Sequence, residues 1–232
     1  IIFMSKAQIF KLILAFILLP ASVFFSIYSL DQKGFFQIDT IEIQTSTSTS
    51  QKNFVAPKIA ALKAKLNQFK GVSLWRFPLS QVADLIKQEV WIQDFQISRS
   101  WPSSLEIQVE AQPIAFLIQS SESNSVATFS PVTVGGTVLE KIDSKNAPNA
   151  IVVHDSSVLK NKKVRDGVLE VINSLPKQGR LHPAQISEIG FDKKEGYWVQ
   201  LIQSDLKINL GNDQFEIKSA RVTQVIDYLE SR

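Results

Sequence analysis

A chain of 232 residues can hold one medium domain or two small ones, each with its own core. Its 25 Lys and Arg against 22 Asp and Glu leave a net charge of +3, without the gathered basic face that nucleic acid requires. The absence of cysteine excludes disulfides and thiolate metal sites and is compatible with any compartment.

Ile1-Ile2-Phe3 stand ahead of Met4, an opening that reads as clipped or misassigned. From Leu12 to Leu30 no residue is charged, close to the roughly 20 residues a helix needs to cross a bilayer. Lys6 and Lys11 precede this run, which predicts a membrane anchor with a cytoplasmic N-terminus and the bulk of the chain outside. Pro20 lies mid-span, where membrane helices tolerate it. A cleaved signal peptide would have a shorter apolar region ending in small residues. Here the exit is bulky, with Phe25, Ile27, Tyr28 and Leu30. A buried core helix would show a polar face, and nothing polar interrupts this one in that way.

Beyond the span, Phe35 to Thr45 reads as a strand, with a phase shift between Ile38 and Ile41 that predicts a bulge or a late start. Thr45 to Ser50 is a solvated Ser/Thr loop. Val55, Ile59, Leu62, Leu66 and Phe69 form one helical stripe, with Pro57 in the first turn and Gly71 as the stop. A second helix carries Val82, Leu85, Ile86 and Val90, with Ser80 as its N-cap. Phe95 and Ile97 then alternate with polar residues, the chain turns at Trp101-Pro102-Ser103-Ser104, and Leu105, Ile107, Val109 and Ala111 alternate on a second strand. Strand, helix, helix, strand, strand makes a two-layer domain over residues 35–112, preceded by a stub, span and linker over 1–34.

Pro113 opens a second domain, 113–232. Its first part is irregular, with a polar stretch from Ser120 to Ser125 and a turn at Gly135-Gly136 that lacks the surroundings of a phosphate loop. Ile151 to Val153 is a short strand, and Val164, Val168, Val171, Ile172 and Leu175 mark a helix stopped by Pro176 and Gly179. A meander follows: Ile186 to Phe191, Tyr197 to Ile202 and Leu206 to Leu210, joined through Asp192–Gly196 and Gln203–Asp205. The last helix carries Phe215, Val222, Val225, Ile226 and Leu229 on its predicted buried face. The fold class is α+β: a transmembrane helix, a βααββ domain, and a mixed, β-rich second domain with flanking helices.

Nothing in the chain carries recognisable chemistry. His154-Asp155-Ser156 offers triad residue types, but adjacent side chains on extended chain point to opposite faces. His182 stands alone and the carboxylates are scattered, so no catalytic, metal-binding or cofactor-binding residue is assigned. Lys193-Lys194 reads as a solvated turn or a partner-facing patch; Lys218 and Arg221 lie about one turn apart and share a helix face.

The segment WIQDFQISRSWPSSLEIQVEAQPIA, Trp91 to Ala115, resembles the polypeptide-transport-associated (POTRA) domain of the bacterial cell-division family FtsQ/DivIB. The motif residues are Trp91, Arg99, Trp101, Pro102, Glu110 and Pro113, with the Leu105-x-Ile107-x-Val109 alternation between them. WVQLIQSDLKINLG, Trp198 to Gly211, with Lys218 and Arg221 after it, is similar to the family's second domain. Two features depart from the pattern: Phe116 with Ser120 to Ser125 keeps only part of an aromatic-plus-turn element, and the family's closing strand has no counterpart before Arg232. The expectation is that the natural protein continues with one or two more strands that form the core of the partner site.

The resemblance implies a non-enzymatic, single-pass protein of the inner membrane, enriched at the division septum. It would hold small bitopic coiled-coil partners of the FtsB/DivIC and FtsL kinds and take no small-molecule substrate. It places Lys194, Trp198, Lys218 and Arg221 at or around the partner site. Two other classes share parts of the pattern, a POTRA chaperone module of an envelope secretion system and an anchored extracytoplasmic sensor.

Overall fold

The computed structural model describes residues 6–120, 127–154, 157–202 and 206–230, with side chains from residue 14 onward except those of 15, 157 and 230. The chain packs as two compact units, one of residues 1–45, 61–88 and 95–109, the other of 46–60, 89–94 and 110–232.

Helix α1, Lys6–Gln32, contains the uncharged run. No helix among the described residues is long and apolar enough to cross a membrane, and the side chains of the first turns of α1 lie outside that description. The strand expected from Phe35 begins only at Thr40 (β1, Thr40–Thr45). Ile38 and Ile41 are both buried, three apart, which strand alternation forbids, so the phase break marks a late start. Gln37 makes only an isolated bridge to Ser73.

Helix α2, Lys52–Leu66, follows a 3-10 turn over Thr49–Gln51 and continues into another over Asn67–Phe69. Pro57 is therefore the sixth residue, past the expected first turn, and its missing N–H leaves the carbonyl of Asn53 without the usual ladder bond. Phe54, Val55, Leu62, Leu66 and Phe69 are buried, whereas Ile59 stands at the margin of that stripe and is half-buried. Helix α3, Leu79–Lys87, is led by Pro78 and not by the expected Ser80, which lies inside the helix. Pro78 stands at the N-cap with φ −80° and ψ 76°, and no side chain caps this end. Val82 and Ile86 are buried, Leu85 is half-buried and Val90 is exposed; Leu74 and Phe77, absent from the predicted stripes, are buried.

Strands β2, Ile92–Ser100, and β3, Ser104–Ala111, complete a sheet in the order β1-β3-β2. β1 runs parallel to β3, pairing Ile41 with Leu105 and Ile43 with Ile107. Leu105, Ile107, Val109 and Ala111 are buried on one face, as their alternation requires.

The second unit is built on a seven-stranded sheet in the order β10-β9-β8-β7-β4-β5-β6. The strands are β4 Ile114–Ser120, β5 Thr128–Thr133, β6 Ile142–Asp143, β7 Ile151–Val153, β8 Ile186–Asp192, β9 Gly196–Leu201 and β10 Lys207–Gly211. β4 and β5 fill the stretch that alternation left irregular. Phe116, Leu117 and Ile118 are buried in succession on a strand paired on both sides, so no period-two pattern exists to be read. Pro131 lies within β5 opposite Leu117, its carbonyl accepting from Leu139 N at 2.8 Å. Most of the predicted polar stretch, residues 121–125, and the turn at Gln203–Asp205 lie outside the described residues.

Helices α4 (Ser157–Lys160), α5 (Lys162–Ser174) and α6 (Phe215–Glu230) complete this unit. Asn161 caps α5, its Oδ1 accepting from Lys163 N and Val164 N. The core joins Val164, Val168 and Val171 of α5 and Phe215 of α6 to Phe116, Ile118, Val132, Ile151, Val153, Ile189, Tyr197, Val199, Ile208 and Leu210 of the sheet. Val222 and Ile226 pack against that core, but Val225 and Leu229, expected beside them, are 57% and 66% exposed. Phe215, Ser219, Val222 and Ile226 recur at four, three and four residues, and this is the face that packs on the core and on α5. The Ser219 hydroxyl donates to Ser174 O at 3.0 Å, tying α6 to the end of α5.

Candidate partner-binding site

The meander ends at an edge. β10 pairs antiparallel with β9, Ile208 opposite Val199 and Asn209 opposite Trp198, and no described strand lies on its other side. Ile208 and Leu210 point into the core, which sends Lys207 and Asn209 to the opposite face. The register breaks between Asn209 and Gly211, where Gly211 adopts φ +75° and its N–H donates to Asn209 Oδ1 at 3.1 Å. Unsatisfied backbone donors and acceptors along such an edge can pair with a strand from another chain.

Trp198 lies on the face away from the helices, half-buried. Lys207 Nζ sits 4.0 Å from its ring centroid, a cation–π contact. Beneath the indole is Gly190, its register partner; a Cβ at that glycine would overlap the Trp198 ring. Lys194 is in the β8–β9 turn, where its N–H donates to Asp192 Oδ1 at 2.7 Å and its side chain is exposed. That bond, with a second from Glu195 N, holds the Asp192 carboxyl below its ordinary range; Lys207 adds a smaller pull the same way. Lys218, near the start of α6, pairs with Asp213 Oδ1 at 2.8 Å, and Arg221 is exposed one turn further on. Lys218 and Arg221 share α6, whereas Trp198 occupies the sheet face turned from the core. The four predicted residues thus lie on three elements, the β8–β9 turn, β9 and α6, with Lys218 Nζ close to Gly211 at the end of β10.

Sequence reading missed Lys207 and Asn209, which flank Trp198, and the exposed apolar side of α6. Ile217, Val225 and Tyr228 recur at eight and three residues along that side, a second stripe that the first one masked.

Trp91 is buried, its Nε1 donating to Glu89 Oε2 at 2.9 Å while its carbonyl accepts from Gln112 N. Arg99 and Glu110 are exposed on β2 and β3. The Trp101–Pro102 bond is cis, and the Trp101 ring packs on Trp75 at 4.7 Å and Phe36 at 5.6 Å between centroids. Pro113 O accepts from Val134 N at 3.0 Å, bracing the entry to β4.

His154 Nε2 contacts Glu188 Oε1 at 3.0 Å, and His182 Nδ1 accepts from Ala184 N, so both act as local braces. Asp155 and Ser156 lie outside the described residues. Among the described residues no cluster of three or more His, Asp or Glu could hold a metal. Burial, then the charges of Glu170 and Asp166, raise the Tyr197 phenol; its hydroxyl donates to Val164 O at 3.2 Å, within the core.

Residues 36–111 match the sequence model of the family described as "POTRA domain, FtsQ-type". Residues 124–231 match that of "Cell division protein FtsQ/DivIB, C-terminal". The chain is 20% identical over 208 residues to the "Cell division protein FtsQ" of Geotalea daltonii, covering 85% of this chain and 70% of that relative.

Proposed function

The chain belongs to the FtsQ/DivIB family of cell-division proteins, and on that premise we propose that it is a non-enzymatic, single-pass scaffold of the division septum. Helix α1 anchors it in the inner membrane with Lys6 and Lys11 on the cytoplasmic side, and the domains over residues 35–112 and 113–232 lie outside. The second domain holds a strand of a small bitopic partner of the FtsB/DivIC kind, together with its FtsL-like companion, at the β10 end of its seven-stranded sheet. The observation that carries this reading is that edge: among the described residues it has no neighbouring strand. Strand addition satisfies the backbone and sets register, and confinement to one membrane raises the effective concentration enough for a modest interface to suffice. Lys194, Lys218 and Arg221 form a rim where charge tunes association rate more than affinity, and Trp198 with Lys207 flanks the strand.

A photo-crosslinking amino acid at Asn209 should capture a small bitopic protein in dividing cells, while one at Asp143, on the opposite edge strand β6, should not. Capture from Asp143 alone would place the partner elsewhere. An export-dependent reporter fused after Arg232 should be active; a stable but silent fusion would overturn the topology.

A further inference from the structure

Four aromatic rings from three separate segments meet just past the end of α1. Phe36 packs edge-on against Phe35 (5.2 Å), Trp75 (6.0 Å) and Trp101 (5.6 Å), and the two indoles lie 4.7 Å apart. An aromatic cluster of this size normally faces a core. Here Phe35 is 53%, Trp75 55% and Trp101 51% exposed. Such a patch implies a partner surface.

The bonds around the cluster indicate which. Phe35 N donates to Leu30 O at 3.0 Å, so the first ring follows directly on the last turn of α1. Asp31, in that turn, accepts from the Ser73 hydroxyl and lies 3.9 Å from Arg76, fastening the Trp75 loop to the helix end. The exposed apolar side chains of α1, Phe24, Phe25, Ile27 and Leu30, thus lead along the chain to the exposed Phe35, Trp75 and Trp101 fastened at the helix end. Within residues 31–39, 70–79 and 99–104, the segments that carry the rings, Lys33, Lys70, Arg76 and Arg99 stand against Asp31 and Asp39, a local basic excess. Indole and phenyl rings beside Lys and Arg, just past the uncharged run of α1, match the chemistry of the lipid headgroup boundary. There the ring body enters the acyl region, the indole N–H stays wet, and cations meet phosphate.

We propose that Phe35, Trp75 and Trp101 form a lipid-contact surface that seats the first unit on the outer face of the bilayer that α1 crosses. This rests on the anchor reading of α1. It adds that the first unit lies on the membrane and is not merely tethered to it.

The test uses the full chain in vesicles of phosphatidylethanolamine and phosphatidylglycerol whose acyl chains carry bromine, a tryptophan quencher, either near the headgroup or near the methyl end. Flotation after an alkaline carbonate wash reports the anchor by itself. Of the chain's four tryptophans, Trp75 and Trp101 are isolated as the difference between the natural chain and a W75F W101F variant, a mild exchange at exposed positions. The expected result is carbonate-resistant flotation of both proteins and loss of the Trp75/Trp101 emission with shallow bromine, with much less loss from deep bromine. Resistant flotation with no bromine-dependent loss overturns the proposal and leaves the anchor standing. Failure to float overturns the anchor and the proposal with it. Emission that follows the protein-to-lipid ratio but ignores bromine assigns the face to a second copy, which also overturns it.

Discussion

Strands β3 and β10 look alike in sequence and sit differently in their sheets. Each alternates apolar and polar residues, and each buries its apolar set, Leu105, Ile107 and Val109 in one and Ile208 and Leu210 in the other. β3 is bonded on both sides, to β1 and β2, whereas β10 is bonded only to β9 among the described strands. Alternation reports which face of a strand is dry and says nothing about its edges, because side chains and backbone bonds project in perpendicular directions. The central strand is where stability should reside, and the edge strand is where partner binding should.

The largest expected effect tests the central strand. Ile107→Ala removes a fully buried side chain from the middle of β3 and should cost about 2–5 kcal/mol by denaturant unfolding. Leu66→Ala, on the face of α2, belongs in the same range. A near-neutral result at either position would mean the face is misassigned. Gly190→Ala drives a methyl into the Trp198 indole and should cost about 1–3 kcal/mol, with a blue or red shift of tryptophan emission as the ring moves. Unchanged emission would separate the fold of β8 from the position of Trp198.

Tyr197→Phe deletes the hydrogen bond to Val164 O and should cost about 1 kcal/mol at neutral pH. The phenol's raised pKa means that folding favours its protonated form. That contribution is fully present below the ordinary tyrosine value of about 10 and is lost as pH rises through the raised one. The alkaline limb of a stability profile should therefore flatten in the Phe variant, and an identical limb would exclude Tyr197 as its origin. Asp192 carries the opposite sign: its contribution is present above the ordinary carboxylate value and lost as pH falls through the lowered one. Lys207→Ala has the smallest effect on folding, about 0.5–1 kcal/mol from the cation–π contact. Crosslinking from Asn209 should nevertheless fall in this variant. If partner capture and stability fall in proportion, Lys207 acts through the fold and not at the edge.

Trp91 to Ala111 was legible because its alternation, turn and motif residues all lie within one short stretch. The late start of β1 was half legible, as a break in phase whose cause lay in Ile38 being buried outside the strand. β4 was not legible, since a strand buried on both faces has no polar positions to mark it. On α6 the expected face mixed two stripes, Phe215 with Val222 and Ile226, and Val225 with Leu229. Both are apolar, and only contact with the sheet chooses between them. Trp198, Lys194, Lys218 and Arg221 were chosen by resemblance, and Lys207, whose ammonium covers the Trp198 ring, was not, because a cross-strand contact depends on register.

By itself, the sequence determined the type and order of most elements, the apolar faces of α5 and β3, and the family, because these follow from local periodicity and short motifs. Only the tertiary structure decided the strand order that puts β10 outermost among the described strands, the burial of one flank of α6, and the meeting of Phe35, Phe36, Trp75 and Trp101 beyond α1. Each of these depends on pairing and packing between residues far apart in the chain, and no periodicity within a single segment encodes which distant segment will cover it.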